Sequence, residues 1–122
     1  MILPSLYSEI EGPALKNIVE ILSNNKFLNH ITIGLDKANK TQFQDAKLFF
    51  KDLKVPHSVI WNDGPRMKSL DSQLSEQGLA PKEPGKGKNV WYCMGYILAR
   101  DQARSIAIHD CDILTYNKEL LA

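Results

Sequence analysis

Short apolar runs alternate along this chain with segments whose apolar residues recur at helical spacing. Ile2 and Leu3 open a short strand. Beyond the turn-prone Glu11-Gly12-Pro13, the set Leu15, Ile18, Val19 and Leu22 follows the i, i+3, i+4, i+7 rule of an amphipathic helix. Ile31 to Leu35 is a second strand. Thr41 and Gln44 have capping-box spacing ahead of Phe43, Ala46, Phe50 and Leu53, which predicts a second helix. Ser58 to Trp61 reads as a third strand, and Met67, Leu70 and Leu74 mark a third helix ending at Gly78. The stretch Pro81 to Gly87, rich in Pro, Gly and Lys, is a loop. After it, Val90, Trp91, Met94, Ile97 and Leu98 form a wide apolar stripe on a fourth helix. Ser105 to Ile108 is a fourth strand that runs into His109-Asp110-Cys111-Asp112.

The resulting βαβαβαβ order predicts an α/β fold: a Rossmann-like, three-layer arrangement with right-handed crossovers and a parallel sheet covered on both faces. Ligands of such sheets bind outside the carboxyl ends of the strands. Three polar clusters fall there: Pro4 to Glu9, Asp36-Lys37, and Asp110 to Asp112.

Composition narrows the picture. With 122 residues, 43% of them hydrophobic, the chain fits one small domain or part of one and can bury a core without disulfides. Lys and Arg total 15 against 14 Asp and Glu, so there is no general attraction to nucleic acid or an anionic membrane, and anion binding must be local. Cys93 and Cys111 match neither CxxC nor zinc-ligand spacing and read as reduced thiols. The chain turns polar directly after Met1-Ile2-Leu3 and has no window long enough to span a membrane. A soluble, cytoplasmic protein is the expectation.

Each polar cluster has a functional and an ordinary reading. Asp110 and Asp112 can aim two hard carboxylates at one point, suiting Mg²⁺ or Mn²⁺ with positions left for phosphate oxygens. Equally, Asp112 caps a turn while Asp110 is solvated. In Gly85-Lys86-Gly87, glycine backbone, a lysine charge and a helix entrance together suit a phosphate or a base edge, or make a mobile loop. The loop is neither a dinucleotide fingerprint, since Val90 stands at the third glycine position, nor a P-loop, since no Ser or Thr follows Gly-Lys. Pro4 to Glu9 exposes backbone groups and the Tyr7 ring, on which a base can stack, or is a plain connection. Asp36 accepts from a base or ribose, or forms a turn. Arg66, in the turn Trp61 to Arg66, meets a phosphate or lies at the surface; Trp91 and Tyr92 read as core. His30, His57 and His109 form no ligand set.

The order of these motifs is the stronger signal. "LPSLYSE" after the first strand, "GLD" after the second, "PGKGKNVWYCMGYILA" opening a helix and "IAIHDCD" on the next strand together resemble the nucleotide-binding half of GT-A glycosyltransferases. Within that superfamily, "LPSLYSEIEGPALKNIV", "WNDGPR" and "HDCDILTY" are similar to glucosyl-3-phosphoglycerate synthases and related bacterial glycosyltransferases. The resemblance implies that Pro4, Ser5, Leu6 and Glu9 line a nucleotide pocket, that Asp36 meets uracil or ribose, and that Lys86 contacts the nucleotide. It implies that Asp110 and Asp112 hold Mg²⁺ or Mn²⁺ and the donor. Tyr7-Ser8 departs from the acidic or amide pair of many relatives.

On this resemblance, residues 1 to 122 are the donor-binding portion of a GT-A domain whose acceptor-binding portion is absent. The expected function is binding of a nucleotide-diphosphate sugar such as UDP-glucose, for transfer to a small acceptor such as 3-phosphoglycerate. No catalytic residue is assigned. The competing readings are a non-catalytic nucleotide-binding or assembly module and a sugar-phosphate nucleotidyltransferase fragment. The latter expects a glycine-rich loop after the first strand, where Pro4 to Tyr7 has no glycine; a phosphatase with an Asp nucleophile expects its D-x-D there, not after the fourth. Neither nucleic acid nor membrane is an expected partner, whereas self-association through an open sheet edge or face is.

Overall fold

The computed structural model describes residues 1–121 and confirms an α/β architecture. Three parallel strands, β1 (Ile2–Leu6), β2 (Ile31–Asp36) and β3 (His57–Trp61), lie in the order β1-β2-β3. Ile2 pairs with Thr32 and Ile31 with His57, so each strand begins level with its neighbour and the carboxyl ends finish together. The helices are α1 (Tyr7–Ile10), α2 (Pro13–Ser23), α3 (Lys40–Phe50), α4 (Pro65–Glu76) and α5 (Lys86–Arg100), followed by a short 3-10 turn at Lys118–Leu121.

Alternation along the strands sorts the two faces. Leu3, Ile31 and Ile33 point into the larger core with Leu15, Ile18 and Leu22 of α2 and Phe50 of α3. Each such fully buried aliphatic side chain contributes about 1.5–3 kcal/mol relative to exposure. Leu35 packs with Ala38 and Ala46 in a smaller cluster on α3. The opposite face receives α5. There a Cβ on Gly34 would lie 1.8 Å from Asn89 Oδ1 and 2.6 Å from Cys93 Sγ, so a glycine is what lets the helix touch the strand.

Four local expectations are corrected. The fourth strand is reduced to one parallel bridge between Ile2 and Ile108, held by Ile2 N–H to Ala107 O (2.7 Å) and His109 N–H to Ile2 O (3.1 Å). Ile108 stays 41% exposed, so this segment lacks the two-sided burial that extends a parallel strand. The cap of α3 is Asn39 with Gln42, not Thr41 with Gln44: Asn39 Oδ1 accepts from Gln42 N–H (2.9 Å) and Gln42 Oε1 from Asn39 N–H (2.8 Å). On α5 the buried residues are Asn89, Tyr92 and Cys93, while Trp91 is 41% exposed. Contact with the small Gly34 surface, rather than the count of apolar residues, sets the rotation of α5. Finally, the chain after β1 forms α1 at once instead of a turn.

Both cysteines are free and buried. Among the described residues no helix is long and apolar enough to cross a membrane.

Candidate functional site

β1 ends in a tightly held corner. The Leu6 N–H donates to Glu9 Oε2 (2.8 Å), so Glu9 folds back over the start of α1 and closes it. Ser5 is buried, and its hydroxyl donates to Leu6 O (3.1 Å). Asp36 ends β2 and accepts from Asn62 Nδ2 at 2.7 Å. Burial pushes its carboxyl above the usual range; hydrogen bonds from Asn62 and Asn89 pull it back, and the neighbouring Asp63 pushes it up again.

Gly85 begins the next wall with φ 123°, a conformation that favours glycine, and Lys86 is the first residue of α5. The Lys86 ammonium contacts the Asp110 carboxylate, which holds its pKa above the ordinary lysine value. Farther along α5, Lys88 Nζ donates to Asp71 Oδ2 (3.0 Å) and the Tyr92 hydroxyl to Asp71 Oδ1 (2.5 Å). Those hydrogen bonds, Lys88's first, hold the Asp71 carboxyl low, while burial pushes Tyr92 up to about 12.

The third wall is the segment after the Ile108 bridge. Cys111 is buried in the larger core, and burial pushes its thiol up to about 12, so it serves as an anchor rather than a nucleophile. Tyr116 is buried with it, accepts from Asn17 of α2 through its carbonyl (3.0 Å), and its hydroxyl meets His109 Nδ1 at 2.6 Å. With Cys111 pinned inward, the carboxylates of Asp110 and Asp112 on either side of it face outward.

Pro4, Ser5, Leu6, Glu9, Asp36, Lys86, Asp110 and Asp112 all line one cavity of about 560 Å³ at the carboxyl ends of β1 and β2. The same cavity gains Asn62, Asp63, Asp71, Lys88, Asn89 and Tyr92, which sequence reasoning did not single out as ligand-facing. For Lys88 and Asn89 a signal existed: both sit within the first turn of the helix that Lys86 opens. Tyr7 and Arg66 are elsewhere. The Tyr7 ring packs on the Leu35-Ala38-Ala46 cluster with its hydroxyl 3.4 Å from Asp45, which removes it as a base-stacking surface. Arg66 lines a second, largely apolar cavity between β3, α4 and α5.

Asp110 and Asp112 both border the open cavity, and the Asp110 carboxylate is paired with the Lys86 ammonium. No group of three His, Cys, Asp or Glu side chains suited to a metal occurs among the described residues.

No protein-family model matches the chain, and no solved structure matches it. Two curated relatives do. The glucosyl-3-phosphoglycerate synthase of Persephonella marina is 43% identical over 122 residues, and that of Methanococcoides burtonii is 39% identical over 123. In both, the alignment takes in 100% of this chain but 30% of the relative, so the chain spans about a third of the length of the curated proteins it matches. From end to end, the chain is similar to one segment of the glucosyl-3-phosphoglycerate synthases, which are glycosyltransferases.

Proposed function

We propose that residues 1–122 form the donor-binding portion of a glycosyltransferase that takes a nucleotide-diphosphate sugar, UDP-glucose on the strength of the resemblance, and transfers the sugar to a small acceptor such as 3-phosphoglycerate. The observation that carries this reading is the convergence of the strand-end residues Ser5, Asp36, Lys86, Asp110 and Asp112 on one cavity. Asp36, at one end, accepts from the base or ribose. Lys86 and Lys88, with the N–H groups at the start of α5, supply positive charge to the diphosphate.

Asp110 and Asp112 hold Mg²⁺ or Mn²⁺ in this reading. When bound, such an ion acts as a Lewis acid on the departing diphosphate. Asp110 also restrains Lys86, so the cationic side chain is already in the cavity before a donor arrives. The acceptor subsite belongs to the further length of proteins of this kind.

Calorimetry with UDP, with and without Mg²⁺, tests the assignment. Asp112→Asn should remove the metal-dependent part of UDP affinity and leave the metal-independent part. Equal metal-dependent affinity in variant and parent would defeat it.

A further inference from the structure

The end of β3 grips the loop that carries Asp36. Trp61 Nε1–H donates to Ala38 O (2.7 Å), the Asn62 N–H donates to Leu35 O (3.0 Å), and Asp63 Oδ2 accepts from Ala38 N–H (3.0 Å). The Asn62 side chain adds its bond to Asp36 Oδ1 (2.7 Å). Between these holds, Lys37 is kept at φ 53°, a conformation that persists in a non-glycine residue only when its surroundings over-determine it.

Asn62 is unusual within this grip. Its Oδ1 is buried without a hydrogen-bond partner among the described residues, although the side chain lines the cavity. An asparagine kept only for stability gains nothing from an orphaned acceptor. What its amide does accomplish is to fix one oxygen of Asp36, the carboxylate that ends β2, while the neighbouring Asp63 is taken up by the Ala38 N–H.

We infer that Asn62 is a positioning residue for nucleobase recognition: by holding Asp36 Oδ1, it presents the other carboxylate oxygen to a base edge bearing a ring N–H. The inference rests on the donor-site reading above. An ionised carboxylate only accepts hydrogen bonds. Uracil offers a ring N–H between two carbonyls and pairs with it, whereas cytosine offers a bare ring nitrogen there and sets acceptor against acceptor. Without the Asn62 amide, Asp36 keeps its interaction with Asn89 but loses the bond that fixes Oδ1 and with it the set orientation toward the base.

The test is calorimetry on the chain with UDP, CDP and inorganic pyrophosphate as probes. The parent should prefer UDP to CDP by about tenfold or more, as expected for an unmatched polar pair. Asn62→Leu should lower UDP affinity by roughly tenfold, shrink the UDP-to-CDP ratio and leave pyrophosphate binding unchanged. Asn62→Ser, which keeps a donor, should recover part of the ratio. If Asn62→Leu does not fold, judged by circular dichroism, Asn62→Asp replaces it: same shape, with a repelling charge in place of the donor, and the same loss of ratio expected. An unchanged UDP-to-CDP ratio in a folded variant that binds UDP overturns the inference and leaves the donor-site reading standing. A parent that binds neither UDP nor pyrophosphate overturns both.

Discussion

At the scale of single residues, Gly34 against α5 leaves less room for a Cβ than any other glycine of the chain. Asn89 Nδ2 donates to Gly34 O at 2.9 Å, and Cys93 packs beside it, both fully within the sheet–helix interface. Gly34→Ala would drive a methyl into the side chains of Asn89 and Cys93, and Asn89 can move aside only by giving up its bond to Gly34 O. The expected outcome is destabilisation of about 1–3 kcal/mol, typical of an overpacked core, read as a lower urea midpoint. Its local sequence, Ile-Thr-Ile-Gly-Leu-Asp, marks the glycine but not its partner, which lies far along the chain.

At the scale of elements, α3 depends on its first turn. The Asn39–Gln42 exchange satisfies two N–H groups that the helix itself leaves free. Asn39→Ala should therefore cost about 1 kcal/mol of stability, again measured by urea unfolding. This is also where sequence reading was weakest. Strands β1 to β3 and the main helices are legible because each carries a dense apolar period, as in Leu15, Ile18 and Leu22. Caps and helix rotations are not, because two candidate polar pairs in the same stretch, Asn39–Gln42 and Thr41–Gln44, differ only in where the backbone enters the helix. The motif order brought Asp36, Lys86 and Asp110 to notice; Asn62 lay in the WNDGPR stretch without a role, and Asp71 had no signal, since the contacts of both are made across elements.

At the scale of the whole molecule, stability should vary with pH through two half-buried histidines. His30 Nε2 lies 3.1 Å from Ser58 Oγ and 3.2 Å from Arg100 Nη1, and the guanidinium requires that nitrogen to be an acceptor. Burial first, then the charges of Arg100 and the amino terminus, lower its pKa below 6.5; His109 is lowered as well, chiefly by burial. Above 6.5 folded and unfolded chains are both neutral at these sites. As pH falls through that value, the unfolded chain takes up protons that the folded one resists, so stability should drop as pH falls below about 6.5. His30→Gln should flatten that drop in urea midpoints taken across the range; an unchanged slope would remove His30 as a cause. A different consequence follows from the lone Ile2–Ile108 bridge. Every pairing in this sheet is parallel and closes over at least one helix, and this one closes over nearly the entire chain. Loop-closure entropy makes such a contact late to form, and a single pair of hydrogen bonds makes it early to release. Backbone pairing thus holds the wall bearing Asp110 and Asp112 only lightly, and its place depends on Cys111 and Tyr116 buried in the core and on the Asn17–Tyr116 bond, so amide exchange should be faster at Ile2 and His109 than along β2.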